Sequence, residues 1–242
     1  MRIGILGSGL MGSALGAAWA RAGHVVTFSY SRDTAKLEGL ARDADNKARA
    51  AAPNDAVRDA EVVLVSVPWH QLDEALAAAG GAETFANKVV ITCTLPMRAD
   101  DSDLAIGHET SGAETLAQRL PSAQVVAAFN TIPSELIREH EEQMARLARR
   151  DSGGFAAIGV EQPQVVICGD DVHAKDRAAS LATDAGFTPV DAGPLRVSRW
   201  VEPFALLVAQ LAYAQDLGPA LGYRFLPARP ANAAGSSDTV QS

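Results

Sequence analysis

The stretch MRIGILGSGLMGSALGAAWARAGH constrains the fold more than any other part of the chain. Arg2 to Leu6 is a short apolar run of the kind buried in a parallel strand. Gly7, Gly9 and Gly12 follow on a G-x-G-x-x-G spacing. Gly7 permits a tight turn, Gly9 leaves room for a pyrophosphate against the backbone, and Gly12 lets the next helix lie close on the strand. That helix carries Leu15, Ala18 and Trp19, and Gly23 is placed to end it as a left-handed cap. A second apolar strand, Val25 to Phe28, completes the context the spacing requires. Such a unit binds a dinucleotide with its phosphates on the helix N-terminus.

Further strands are read at Glu61 to Val67, Val89 to Thr94, Gln124 to Phe129, Val165 to Cys168 and Phe187 to Val190. Helices separate them: one capped by Asn54, one starting at Thr110 or Ser111, a charged one capped by Ser134, and one behind Asp170-Asp171. The pattern predicts a Rossmann-type α/β fold, a doubly wound parallel sheet with a small C-terminal α/β extension and a terminal helix. Residues 1–133 are expected to form the nucleotide domain. Residues 134–226 are expected to form a small substrate and dimerisation domain with a helical insertion at 138–164, and 227–242 a disordered tail. The terminal helix, Arg199 to Leu217, carries Trp200, Phe204, Leu207, Val208 and Leu211 on one stripe, suited to a core or a subunit interface, so a homodimer is expected.

The balance of 21 basic against 29 acidic residues, net charge −8, argues against nucleic acid or an anionic membrane as partner. No apolar run reaches membrane-spanning length and no leader pattern is read, so a cytoplasmic protein is expected. Cys93 and Cys168 lack any ligand spacing, and Asp170-Asp171 suits a helix cap better than a cation, so no metal site is expected.

The second strand runs into Ser29-Tyr30-Ser31-Arg32-Asp33, with Lys36 one turn on. An NAD site places an acid about 20 positions beyond the glycines, whereas hydroxyls and cations there suit a 2′-phosphate. Ser31, Arg32 and Lys36 therefore point to NADP(H). Under the competing reading they are surface charges and Asp33 takes the ribose. Ligands of open parallel sheets lie outside the carboxyl ends of the strands. This brings Val67-Pro68-Trp69-His70 and Asn130-Thr131-Ile132-Pro133 into consideration. Pro68 and Trp69 can wall a flat pocket, and His70 is either a proton donor or a solvated first-turn residue.

Taken together, GILGSGLMG, SYSR with Lys36, SVPWHQ, AFNTIP, and CGDD followed by VDAGPLRVSRWVEP resemble the deazaflavin-dependent NADP oxidoreductases, over nearly the whole chain to Leu226. Leu95 and Asp216 stand where that family usually has Asn and Gly. The resemblance implies hydride exchange between NADP(H) and coenzyme F-420, an 8-hydroxy-5-deazaflavin. It implies pyrophosphate contacts from Gly7, Ser8, Gly9, Leu10 and Met11, a 2′-phosphate held by Ser31, Arg32 and Lys36, Val67 and Pro68 beside the nicotinamide ribose, and a deazaflavin pocket at Asn130 to Pro133. Stacked rings exchange a hydride through positioning alone, so no obligatory acid or base is expected, and Pro68, Trp69, Ile132 and Pro133 would form the slot. Two alternatives remain open. One is an NADPH-dependent reductase of a small carbonyl or imine, which needs a proton donor such as His70, Tyr213 or Asp216. The other is an NADPH sensor without turnover.

Overall fold

The computed structural model describes residues 1–31, 33–44, 48–140, 142, 162–215 and 217–226. In chain order the first elements are β1 (Arg2–Leu6), α1 (Leu10–Arg21), β2 (Val25–Ser29), α2 (Thr34–Asp43), β3 (Ala48–Ala50), α3 (Pro53–Arg58), β4 (Val62–Val65) and α4 (Leu72–Ala78). They continue with β5 (Val89–Thr92), α5 (Gly112–Arg119), β6 (Gln124–Ala127) and α6 (residues 134–140). The last are β7 (Gln164–Gly169), α7 (Val172–Asp184), β8 (Thr188–Gly193) and α8 (Ser198–Ala209).

One sheet holds all eight strands in the order β3-β2-β1-β4-β5-β6-β7-β8. Pairing is parallel except where β7 returns against β6, with Val126 opposite Gly169. The order through β6 is that of a Rossmann sheet, and the C-terminal pair extends the same sheet. Side chains alternate across it. Val62 and Leu64 of β4 enter one apolar layer with Ile3, Ile5, Trp19 and Phe28, while Val63 and Val65 enter the other with Leu6, Leu72, Phe85 and Leu116. The indole of Trp19 donates to the Leu181 carbonyl at 2.8 Å, tying α1 to α7.

Three local expectations are corrected. Asn54 does not cap α3. The chain enters that helix through Ala52 with Pro53 in its first turn, a position that wastes no N–H, and the Asn54 amide instead donates to the Ala79 carbonyl at 3.0 Å. Ser134 is already helical; its hydroxyl donates to the Glu135 carboxylate and accepts from Arg138. The terminal α-helix stops at Ala209 and widens into a π-turn over Gln210–Ala214. Helix α8 buries Ser198, Val201, Glu202, Ala205 and Val208, while Trp200 and Leu207 of the stripe read as core or interface are 65% and 53% exposed. The insertion beyond residue 142 and the tail from 227 lie outside the described residues. Among the described residues no helix is long and apolar enough to cross a membrane.

Candidate functional site

The turn from β1 into α1 is built for close approach. Gly7 sits at φ +107°, and a Cβ there would meet Ser66 O and Val67 Cγ1 at 2.7 Å. The Ser66 hydroxyl donates to the Gly7 carbonyl at 2.6 Å and pins the turn to the end of β4. A Cβ on Gly12 would lie 1.9 Å from the Gly7 carbonyl oxygen, so α1 rests directly on the turn. By contrast a Cβ on Gly9 would meet nothing within 4 Å. Gly9 is also the N-cap of α1 and offers no side chain to the first N–H groups, and the first turn of α1 has no acidic residue. This open, positive helix end fits a pyrophosphate.

From this cradle a cleft of about 990 Å³ runs along α2 and the ends of β2, β3 and β4. It collects Gly7, Ser8, Gly9, Ser31, Lys36, Val67 and Pro68 of the predicted set. Tyr30, Arg42, the Ala50 to Pro53 turn, Ser66, Gln71 and Glu74 line it too, and sequence reasoning missed them. The turn follows β3, a three-residue edge strand of sequence Ala-Arg-Ala with no apolar run to betray it. Tyr30 marks itself only by its left-handed φ of 57°.

The ribose end of the cleft carries charges of both signs, Lys36 and Arg42 together with Glu38. Asp33, the candidate ribose acceptor, is the N-cap of α2, its carboxylate accepting from the Lys36 N–H at 3.2 Å. Ser31 accepts from the Asp33 N–H at 3.1 Å. Lys36 and Arg42 both line the cleft. Arg32 lies outside the described residues, as does Asp216.

The ring end is less open than expected. Ile132 is 5% exposed and packs in the core; Pro133 is buried as well, so neither is a free slot wall. Trp69 is covered by the Arg119 guanidinium 5.4 Å from its ring centroid, and Arg119 is in turn paired with Asp73 at 2.8 Å. His70 is exposed in a 3₁₀ turn and contacts Gln71 at 3.2 Å. Leu10, Met11 and Gly12 stand in α1 beside the cleft lining without belonging to it. Asn130 stands apart: its Oδ1 is buried with no hydrogen-bond partner, a state that costs roughly 1–3 kcal/mol when nothing fills it.

Several groups able to transfer a proton are tied down elsewhere. Burial, with the Glu135 carboxylate, pushes the Tyr213 phenol up to about 12 while it donates to Glu135 at 2.9 Å. Lys88 serves the Arg58 and Ala60 carbonyls and Lys175 pairs with Asp191. Burial also pushes the thiols of Cys93 and Cys168 up to about 12, so both stay protonated. Asp171 caps α7 and Asp170 accepts from the Leu195 N–H at 2.9 Å.

Fold and cradle together define a Rossmann-type dinucleotide-binding protein. Residues 2–96, which hold the cradle and run past β5, match the family described as NADP oxidoreductase, coenzyme F420-dependent. Metalloreductase STEAP3 of Rattus norvegicus is 29% identical over 205 residues, 85% of this chain, and the chain spans only 36% of that protein. A crystal structure of a putative F420-dependent NADP-reductase from Arthrobacter sp. FB24 shares the fold at a TM-score of 0.76 and 24% identity, covering 94% of this chain and 100% of that one. A Streptomyces aurantiacus imine reductase shares it at a TM-score of 0.59 and 16% identity, covering 88% and 63%. The matched segment contains the glycine cradle and the β1, β2, β3 and β4 ends that border the cleft.

Proposed function

We propose that the protein transfers a hydride between NADP(H) and a deazaflavin, coenzyme F-420. The observation that carries the reading is the cleft itself: an open helix N-terminus at Gly9, and at its other end Lys36 and Arg42 beside an aspartate already spent on capping α2. The hydride chemistry belongs to the two rings. The chain's part is to hold the phosphates at Gly7 to Gly9, the 2′-phosphate at Ser31, Arg32 and Lys36, and the ribose against Val67 and Pro68. The match of residues 2–96 to a coenzyme F420-dependent family supports the choice of acceptor. Of the proton donors a carbonyl or imine acceptor would ask for, Tyr213 is engaged by Glu135.

Mixing the protein with NADPH and oxidised coenzyme F-420 should bleach the deazaflavin band, with little change when NADH replaces NADPH. Arg32→Ala and Lys36→Ala should each weaken NADPH about 10- to 100-fold and leave NADH nearly unchanged. Tight NADPH binding without bleaching would sink the acceptor and keep the cofactor.

The exposed face of α8 and its π-turn carries Trp200, Pro203, Leu207, Gln210 and Tyr213, the last donating to the Glu135 carboxylate at 2.9 Å. We propose that two copies meet there, since Trp200 and Leu207 leave a large apolar surface exposed on a chain of net charge −8. Light scattering should give a dimer for the native protein and a monomer for a Trp200→Glu, Leu207→Glu variant; a native monomer at high concentration would refute the interface.

A further inference from the structure

We propose that the chain carries a second ligand site, for a small phosphomonoester, at the end of the sheet opposite the glycine cradle. A cavity of about 430 Å³ opens there, where β4, β5 and β6 begin and α7 starts. Its position follows from the one reversal in the sheet. Because β7 runs antiparallel to β6, the helix behind it begins at the amino ends of the parallel strands, away from the carboxyl ends that carry the cradle. This places His173 and Arg177 of α7 around the same cavity as Asn87 and Lys88 before β5, Gln124 of β6, and the carboxylates of Glu61 and Asp171. The cavity shares no lining residue with the nucleotide cleft, so it stands independently of the cofactor reading.

Both carboxylates are engaged by the fold itself. Glu61 accepts from the Arg2 N–H at 2.8 Å, with the Arg2 guanidinium 3.7 Å away. That N–H holds its pKa below the usual carboxylate range; burial opposes the shift, and the charges of Arg2 and Arg177 reinforce it. Asp171 caps α7 by accepting from the Ala174 N–H at 2.7 Å. The donors are left open. Among the described residues the side chains of Asn87, Gln124, His173 and Arg177 make no hydrogen bond or close ion pair. The Lys88 ammonium gives two of its three N–H groups to the Arg58 and Ala60 carbonyls, at 3.0 and 2.8 Å, and keeps the third. Burial and then the Arg2 charge lower the Lys88 pKa, with Asp59 opposing them, so an anion beside this ammonium would stabilise its charged form.

The number of open donors selects the ligand. A carboxylate has two oxygens to offer them. A phosphomonoester has three terminal oxygens and nearly two charges, which suits a guanidinium fork, an ammonium N–H, an imidazole N–H and two amides. The dipole of the thirteen-residue α7 adds to the attraction. On a chain of net charge −8 an anion is held only where donors are collected in this way.

Calorimetry on the full chain, with excess NADP⁺ present to fill the cradle, tests this with inorganic phosphate and glycerol 3-phosphate as probes. The native protein should bind both, and glycerol 3-phosphate more tightly. Arg177→Ala should weaken both about tenfold, and the Arg177→Ala, His173→Ala double variant further. Both side chains are exposed, so the unliganded variants should melt as the native protein does. Lys36→Ala, in the nucleotide cleft, should leave both probes unchanged. No binding of either probe below about 10 mM would overturn the proposal. Native affinity in the double variant would overturn it as well. So would a loss confined to Lys36→Ala, which would trace the heat to the nucleotide cleft, and so would citrate binding more tightly than glycerol 3-phosphate, which would make the cavity a carboxylate site.

Discussion

Gly12→Ala should lower the melting temperature by roughly 10 °C and weaken NADPH more than about 100-fold, the largest effect expected of any single methyl group in this chain. The added Cβ would stand 1.9 Å from the Gly7 carbonyl oxygen, 2.6 Å from Ser66 Oγ and 3.0 Å from Ile5 Cγ2. The nearest of these is backbone, so no rotamer change relieves the overlap. Either α1 lifts off β1 or the Gly7 turn unwinds, and both displace the N–H groups that face the pyrophosphate. Gly9→Ala is the informative partner. Its Cβ has open space, so the protein should fold and melt as the native chain does, yet NADPH should still bind more weakly because the phosphate needs that space. A Gly12→Ala protein with native melting and native affinity would refute the cradle. Unchanged affinity in Gly9→Ala would move the pyrophosphate elsewhere.

The second large effect is a pH dependence set by Glu202. This carboxylate is 1% exposed and accepts from the Gly112 and Ala113 N–H groups at 2.9 and 3.0 Å, at the first turn of α5. Alongside it the Ser198 and Ser111 hydroxyls meet at 2.7 Å and Arg199 grips Glu114 with two 2.7 Å bonds. Desolvation pushes the Glu202 acid up to about 7; the two N–H donors oppose the shift, and the nearby Glu114 charge adds to it. The folded pKa is thus above the unfolded one, so the folded state holds this proton more tightly. The corresponding stability is fully present below about pH 4.5 and is lost as pH rises to about 7. Relative to Glu202→Gln, which does not titrate, the native protein should lose about 3 kcal/mol of unfolding free energy across that window. Denaturant melts of both proteins at several pH values measure the difference. Parallel curves would show that the two N–H donors outweigh the burial.

Much of the nucleotide end was legible in the chain itself. The glycine spacing, the strand before it and Gly23 after it are local requirements of one turn and one helix, and local chemistry is what a sequence displays. The same holds for Ser111, whose hydroxyl caps α5 on the Glu114 N–H at 3.1 Å, and for Asp171 at α7. The Ser31 to Lys36 stretch reads as a phosphate site because hydroxyls and cations follow β2 directly. What defeated the reading were positions whose meaning depends on what folds against them. Trp69 looked like a slot wall until Arg119, fifty residues on, covered its ring. Ile132 and Pro133, read as walls of the slot, are buried, Ile132 within the core.

The chain alone determined the Rossmann-type sheet and the glycine turn before α1, because each is written in residues adjacent along the backbone. Tertiary structure decided the rest. It set β7 and β8 on the same sheet through a single antiparallel pairing, turned Trp200 and Leu207 outward, and brought Glu202 onto α5 across some ninety residues. It also left the Oδ1 of half-buried Asn130 without a hydrogen-bond partner. Burial and hydrogen-bond satisfaction are properties of the packed whole, so no window of sequence contains them.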